Sequence, residues 1–205
     1  MLISLLISCI TVPTPSGEFR VNSQAPGPMR VVVFPTTCEP ADTCSQLRLG
    51  RLDGTLAQEL EFDGYTLIDG VSLVAEARTR EDGDASLKLL GEELLRVQAT
   101  GQEGSLFVDL PPDARRALLK EARADGVLRT TVRMGAMETN SGVAQYRLLT
   151  AQAKLGVGED ETNAWVARCS RMGSRIDNVN RHDVKNFNVT LDWLGTCLVE
   201  QIRSS

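Results

Sequence analysis

The run Met29-Arg30-Val31-Val32-Val33-Phe34-Pro35 constrains the fold of this chain more than any other stretch. Three consecutive β-branched residues followed by an aromatic favour a strand, and without an alternating polar position neither face of that strand can meet water. Such a strand needs cover on both faces, as in an α/β sheet. The following segments can supply it. Over 45–62, Leu49, Leu52, Leu56 and Leu60 recur at helical intervals. Gly64–Asp69 reads as a short strand and 70–80 as a second helix, which is the order of a crossover unit. Gly50 and Gly54 lower the propensity of the first helix by up to about 1 kcal/mol each relative to alanine, and close packing on the sheet is the expected reason for them.

Residues 85–99 read as helical, with Leu87, Leu90, Leu94 and Val97 aligned, and a short strand is expected at Leu106–Val108. Pro111-Pro112-Asp113 introduces another helix, with Gly126 falling where its carboxy-terminal cap is expected. The second half is mostly strand. Leu128, Thr130, Val132 and Met134 take one face of the first of these strands, and Arg129, Thr131 and Arg133 the other. A turn at Asn140-Ser141-Gly142 and an acidic turn at Gly158-Glu159-Asp160-Glu161 link three strands into an antiparallel meander. A polar loop is expected from Ser170 to Asn186, holding His182, the only histidine. Val184, Phe187, Leu191, Leu194, Leu198 and Ile202 then form one apolar stripe on a closing helix, facing the core. The expected fold is α/β (α+β): a mixed sheet of about five strands, a βαβ start followed by an antiparallel meander, helices packed on the sheet and a C-terminal helix.

Composition narrows the function. A net charge of −5 argues against nucleic acid, which needs a basic footprint, and 4% aromatic residues argue against base-stacking platforms. No apolar stretch reaches the roughly 18 residues of a membrane-spanning helix. There is no G-x-G-x-x-G and no P-loop, so no cofactor is expected. His182 stands without a recognisable serine or cysteine signature, so no catalytic residue is assigned.

The amino terminus points to a membrane surface. Met1–Ile10 is apolar apart from Ser4 and Ser8, although no Lys or Arg precedes Arg20; a start upstream of Met1 would explain that departure from a secretory signal. Leu6-Ile7-Ser8-Cys9 resembles the bacterial lipobox at all four positions. The resemblance implies cleavage before Cys9, acylation of its thiol and new amino group, and anchoring by two or three acyl chains. On this basis 1–8 is a leader, 9–28 a flexible tether and 29–205 a single α/β domain. The competing reading is an amino-terminal strand with a buried free Cys9. A third, secreted eukaryotic class would use Asn188-Val189-Thr190 as a glycosylation acceptor, in the poor context of a helix.

Without Cys9, the even set Cys38, Cys44, Cys169 and Cys197 reads as disulfides in an oxidising envelope. Four cysteines allow three connectivities, of which local loop geometry favours Cys38–Cys44 with Cys169–Cys197. A zinc site would want tighter pairs than C-x5-C and C-x27-C, so no metal is expected.

"VVVFP" at 31–35, "GYTLID" at 64–69, "EARADGVLRTTVRMG" at 121–135 and the paired strands around the acidic turn resemble a group of bacterial envelope domains. The group comprises the amino-terminal domain of the Tol–Pal translocation protein, the periplasmic part of the curli-secretion channel and the lipoproteins that activate penicillin-binding proteins. Over 82–112 the chain lacks the alternating hairpins that a secretion barrel needs. The resemblance implies a non-catalytic lipoprotein at the outer membrane facing the periplasm, docking on other envelope proteins in cell-wall synthesis, secretion or motility. Candidate contacts are Arg129, Arg133, Arg147 and Arg168, with the Arg171–Arg181 loop beside them; a solvated face with acidic neighbours is the plainer account of these arginines. An envelope hydrolase with an unrecognised carboxylate site is the alternative.

Overall fold

Strand β2 (Arg30–Val33) has the surroundings its composition demands: Val31 and Val32 are both buried, and they belong to different hydrophobic clusters. The computed structural model describes residues 17–21, 29–39, 47–98, 109–138, 145–160, 162–175 and 182–203. In chain order the other elements are β1 (Gly17–Val21), β3 (Thr37–Glu39), α1 (Leu49–Phe62), β4 (Thr66–Asp69), α2 (Gly70–Thr79), α3 (Ala85–Gln98), α4 (Pro112–Ala122), β5 (Gly126–Glu138), β6 (Gln145–Val157), β7 (Thr162–Arg175) and α5 (His182–Arg203). They form one mixed sheet in the order β1-β7-β6-β5-β2-β4, with β3 paired to β5. β2 is parallel to both β4 and β5, and β5, β6 and β7 make the antiparallel meander. The chain is therefore an α/β protein with an open mixed sheet and a C-terminal helix.

The two helical layers are unequal. One face of the sheet packs on α1 and α5 through Leu52, Leu56 and Leu60 on one helix and Leu191, Leu194 and Leu198 on the other. Both ends of α1 are pinned to α5, by Arg51 on Asp192 and by Arg203 on Asp63 and Glu59, each at 2.9 Å. Exposed pairs of this kind add little stability, so their contribution is chiefly register. On the other face α2, α3 and α4 cover Val32 and Val127. Asp69 joins β4 directly to α2, its carboxylate accepting from Val71 N at 2.9 Å and Ser72 Oγ at 2.6 Å.

Several local expectations change. Within the expected tether, Gly17–Val21 forms β1 and pairs antiparallel with β7 over Trp165–Cys169. The segment expected as a polar loop is largely regular: β7 runs to Arg175 and α5 begins at His182. Gly126 opens β5 and does not cap α4; Arg123 is the left-handed cap, at φ 49°. Arg30 donates to the carbonyls of Arg123 (3.1 Å) and Ala122 (3.2 Å), satisfying the helix end from β2. The expected strand at Leu106–Val108 and the turn at Asn140–Gly142 lie outside the described residues.

Gly50 and Gly54 overturn the close-packing expectation. Both are exposed, and a Cβ built on either meets nothing within 4 Å. Each therefore carries the entropic cost of glycine in a helix without a packing return. Gly54→Ala is expected to raise stability by about 0.5–1 kcal/mol, seen as a higher urea midpoint with an unchanged slope. A lower midpoint would mean that the helix needs the flexibility.

Candidate functional site

The alternation of β5 continues into β6 and β7, because the registers place Arg129 opposite Lys154, Thr131 opposite Gln152, and Gln152 opposite Arg168. The complementary set, including Val132, Leu149, Ala151, Ala167 and Cys169, is buried under α1 and α5. On the polar side the helical layer stops after β2 and the start of β5. Beyond it lies an open cleft of about 850 Å³, to whose described lining no helix contributes a residue. Its floor is β5 and β6, and Phe34, Thr37, Glu39 and Asp109 form part of its wall.

Among the described lining residues, four cations (Arg129, Arg133, Lys154, Arg168) stand with two carboxylates (Glu39, Asp109). In a chain of net charge −5, this face has the opposite balance. Arg133 donates to Glu39 at 2.8 Å and Arg168 to Gln152 at 3.1 Å. Thr37 donates to Thr131 Oγ1 at 3.0 Å, and the hydroxyls of Thr150 and Ser170 are 2.9 Å apart. Burial, then the charge of Arg115, pushes the Arg129 guanidinium below its ordinary value, with Asp109 opposing. Burial also lowers the Lys154 ammonium, helped by Arg129 and Arg115 and opposed by Asp109. Arg115, from α4, is 2% exposed; it donates to Gly156 O at 2.8 Å and Gly158 O at 3.1 Å, and among the described residues its Nη1 has no hydrogen-bond partner.

The expected contacts separate. Arg129, Arg133 and Arg168 meet on the cleft, whereas Arg147 pairs with Ala136, out of phase with them in the register. Arg171 is a strand residue whose guanidinium lies 5.0 Å from the centre of the Trp193 ring. Cys9 and Cys44 lie outside the described residues. Cys169 and Cys197 are joined by a disulfide, their Cα atoms 6.2 Å apart, and Cys38 is also disulfide-bonded. Lys154 and Asp109 were not singled out in the sequence. Lys154 carried a signal, since Gln152 and Lys154 alternate with Ala151, Ala153 and Leu155; Asp109 carried none.

A smaller pocket of about 200 Å³ opens beside the carboxyl ends of β2 and β4, where Asp53 of α1 accepts from Thr36 N at 3.1 Å and from Thr36 Oγ1. Burial raises the Asp53 carboxyl above its ordinary 3.8, outweighing the two Thr36 bonds that lower it. A folded value above the unfolded one means that this stabilising contribution is complete below pH 3.8 and is lost as pH rises through the folded value. Asp53→Asn cannot ionise, so wild type is expected to lose stability relative to that variant as pH rises from below 3.8 towards neutrality. Urea unfolding of both proteins across this range is the check. A constant difference between them would place the ionisation elsewhere.

Among the described residues, no group of histidine, cysteine, aspartate or glutamate could hold a metal ion, and no helix is long and apolar enough to cross a membrane. No family model and no curated protein matches the sequence. Solved structures with a similar outline include lipoprotein GNA1162 from Neisseria meningitidis, at 19% identity and a TM-score of 0.45, covering 87% of this chain and 100% of that one. They also include the PelC dodecamer from Paraburkholderia phytofirmans, at 11% identity and a TM-score of 0.43, covering 92% and 97%. A third is the hypothetical protein CT253 from Chlamydia trachomatis, at 10% identity and a TM-score of 0.46, covering 86% and 94%.

Proposed function

We propose that this chain is a non-catalytic lipoprotein, anchored through Cys9 in the outer membrane and facing the periplasm, that docks on another protein of the cell envelope. The observation that carries the docking role is the unequal cover of the sheet: α1 and α5 bury one face, while the other stays open over β5–β7 as a polar cleft. The lipobox-like Leu6–Cys9 and the paired Cys169 and Cys197 support an oxidising envelope address.

Two measurements test the parts separately. The intact mass of the chain recovered from bacterial membranes, alkylated without reduction, should show loss of residues 1–8, added acyl mass and no free thiol. An unprocessed chain with all five cysteines alkylated overturns the anchor. A photoreactive residue placed at Gln152 in the cleft should give one discrete adduct with an envelope protein, and one placed at exposed Gln58 on α1 should not. Identical adducts from both positions overturn docking through the cleft.

A further inference from the structure

We propose that the inner end of the cleft, between Arg129 and Lys154, is a carboxylate-binding subsite, occupied by an acidic side chain at one end of an extended peptide from the docking partner. The inference rests on the docking reading above and adds the chemistry of the ligand. Arg129 and Lys154 are direct partners across β5 and β6, both on the cleft side. Like charges opposite each other on one face disfavour strand pairing. Behind them lies Arg115, almost wholly buried, whose Nη1 has no hydrogen-bond partner among the described residues. The fold thus gathers three cations that repel one another, with the carboxylate of Asp109 opposing that repulsion at Arg129 and Lys154. A bound anion relieves it further.

The rest of the cleft defines the ligand. From Arg129 to Gly135 the floor runs seven residues, which is about 20 Å of strand and matches an extended peptide of about seven residues. Thr131, Thr150 and Gln152 provide hydrogen-bonding groups along the middle, and Leu148 makes the far end apolar. The fitting sequence has an acidic residue at one end and apolar side chains at the other. A flat anionic bilayer fits poorly, because the cations lie on the floor of a concavity.

The test titrates the full chain, with its disulfides intact, against fluorescent acidic–apolar peptides of about seven residues and against the same peptides with amides replacing the carboxylates. The acidic series should bind about tenfold more tightly at low salt, and Lys154→Gln and Arg129→Gln should each abolish that preference. Both variants should stay folded, with circular dichroism as the check, and Arg51→Gln outside the cleft should leave binding unchanged. Equal affinity for acid and amide peptides, or a preference that survives Lys154→Gln, overturns the subsite while the cleft crosslinks keep docking intact. Absence of both peptide binding and cleft crosslinks removes the docking reading itself. Lys154-dependent binding to phosphatidylglycerol vesicles without peptide binding assigns the site to a lipid headgroup and overturns the peptide.

Discussion

Replacing Cys169 and Cys197 together by alanine is expected to lower stability by about 3.5 kcal/mol, from the loop-closure entropy returned to the unfolded chain. The bond spans a sequence separation of 28, and it ties β7 to α5 across the packed face of the sheet. Cys169 is completely buried opposite Ala151, and Cys197 is 7% exposed. Loss of the bond therefore also leaves two small side chains where a filled contact stood. Urea unfolding of the oxidised chain and the double variant measures the difference directly. A midpoint that does not move would mean that the bond constrains nothing in the unfolded state.

The second large effect is expected in the same layer. Leu194 is completely buried, and Leu194→Ala should cost about 3–4 kcal/mol, within the range of fully buried leucines whose surroundings cannot collapse. Collapse is resisted because α1 and α5 already approach closely. A Cβ added at Gly195 would stand 3.0 Å from Thr55 Cβ and 3.4 Å from Leu52 O. Leu52→Ala, from the facing helix in the same cluster, should cost a similar amount, and the double variant less than the sum because the two cavities share walls. Leu89→Ala, at a site 72% exposed, is the control and should change stability by less than about 0.5 kcal/mol. Losses at Leu194 no larger than at Leu89 would mean that this layer is not packed as described.

What could be read from the sequence was what depends on short-range pattern. The two-sided burial of Val31 and Val32, the alternation from Leu128 to Met134 and the leucine stripes of α1 and α5 all follow from a period of 2 or 3.6. What could not be read depended on partners distant in sequence. β1 forms where β7 offers it an edge, and no local signal in Gly17–Val21 announces that edge. Lys154 shares a face with Gln152 by simple alternation, but only the register brings it opposite Arg129. The cap of α4 is Arg123 and its terminal carbonyls are met by Arg30, more than ninety residues earlier in the chain, so the rule placing glycine after a helix pointed to the wrong residue. Gly50 and Gly54 show the converse: packing was inferred where the helix simply faces solvent.

The position of β1 sets how far the domain can stand from a lipid surface. A tether running from Cys9 to the start of the domain at Met29 would have a contour of about 70 Å, enough to let the body roam. With Gly17 already paired to Cys169, the stretch between Cys9 and the sheet shortens to eight residues, which can span at most about 28 Å. An acylated Cys9 would then hold the β1 edge of the sheet within roughly one domain diameter of the bilayer. Such a leash is short enough to restrict how the body can turn, so the anchor would bias which partners the cleft meets.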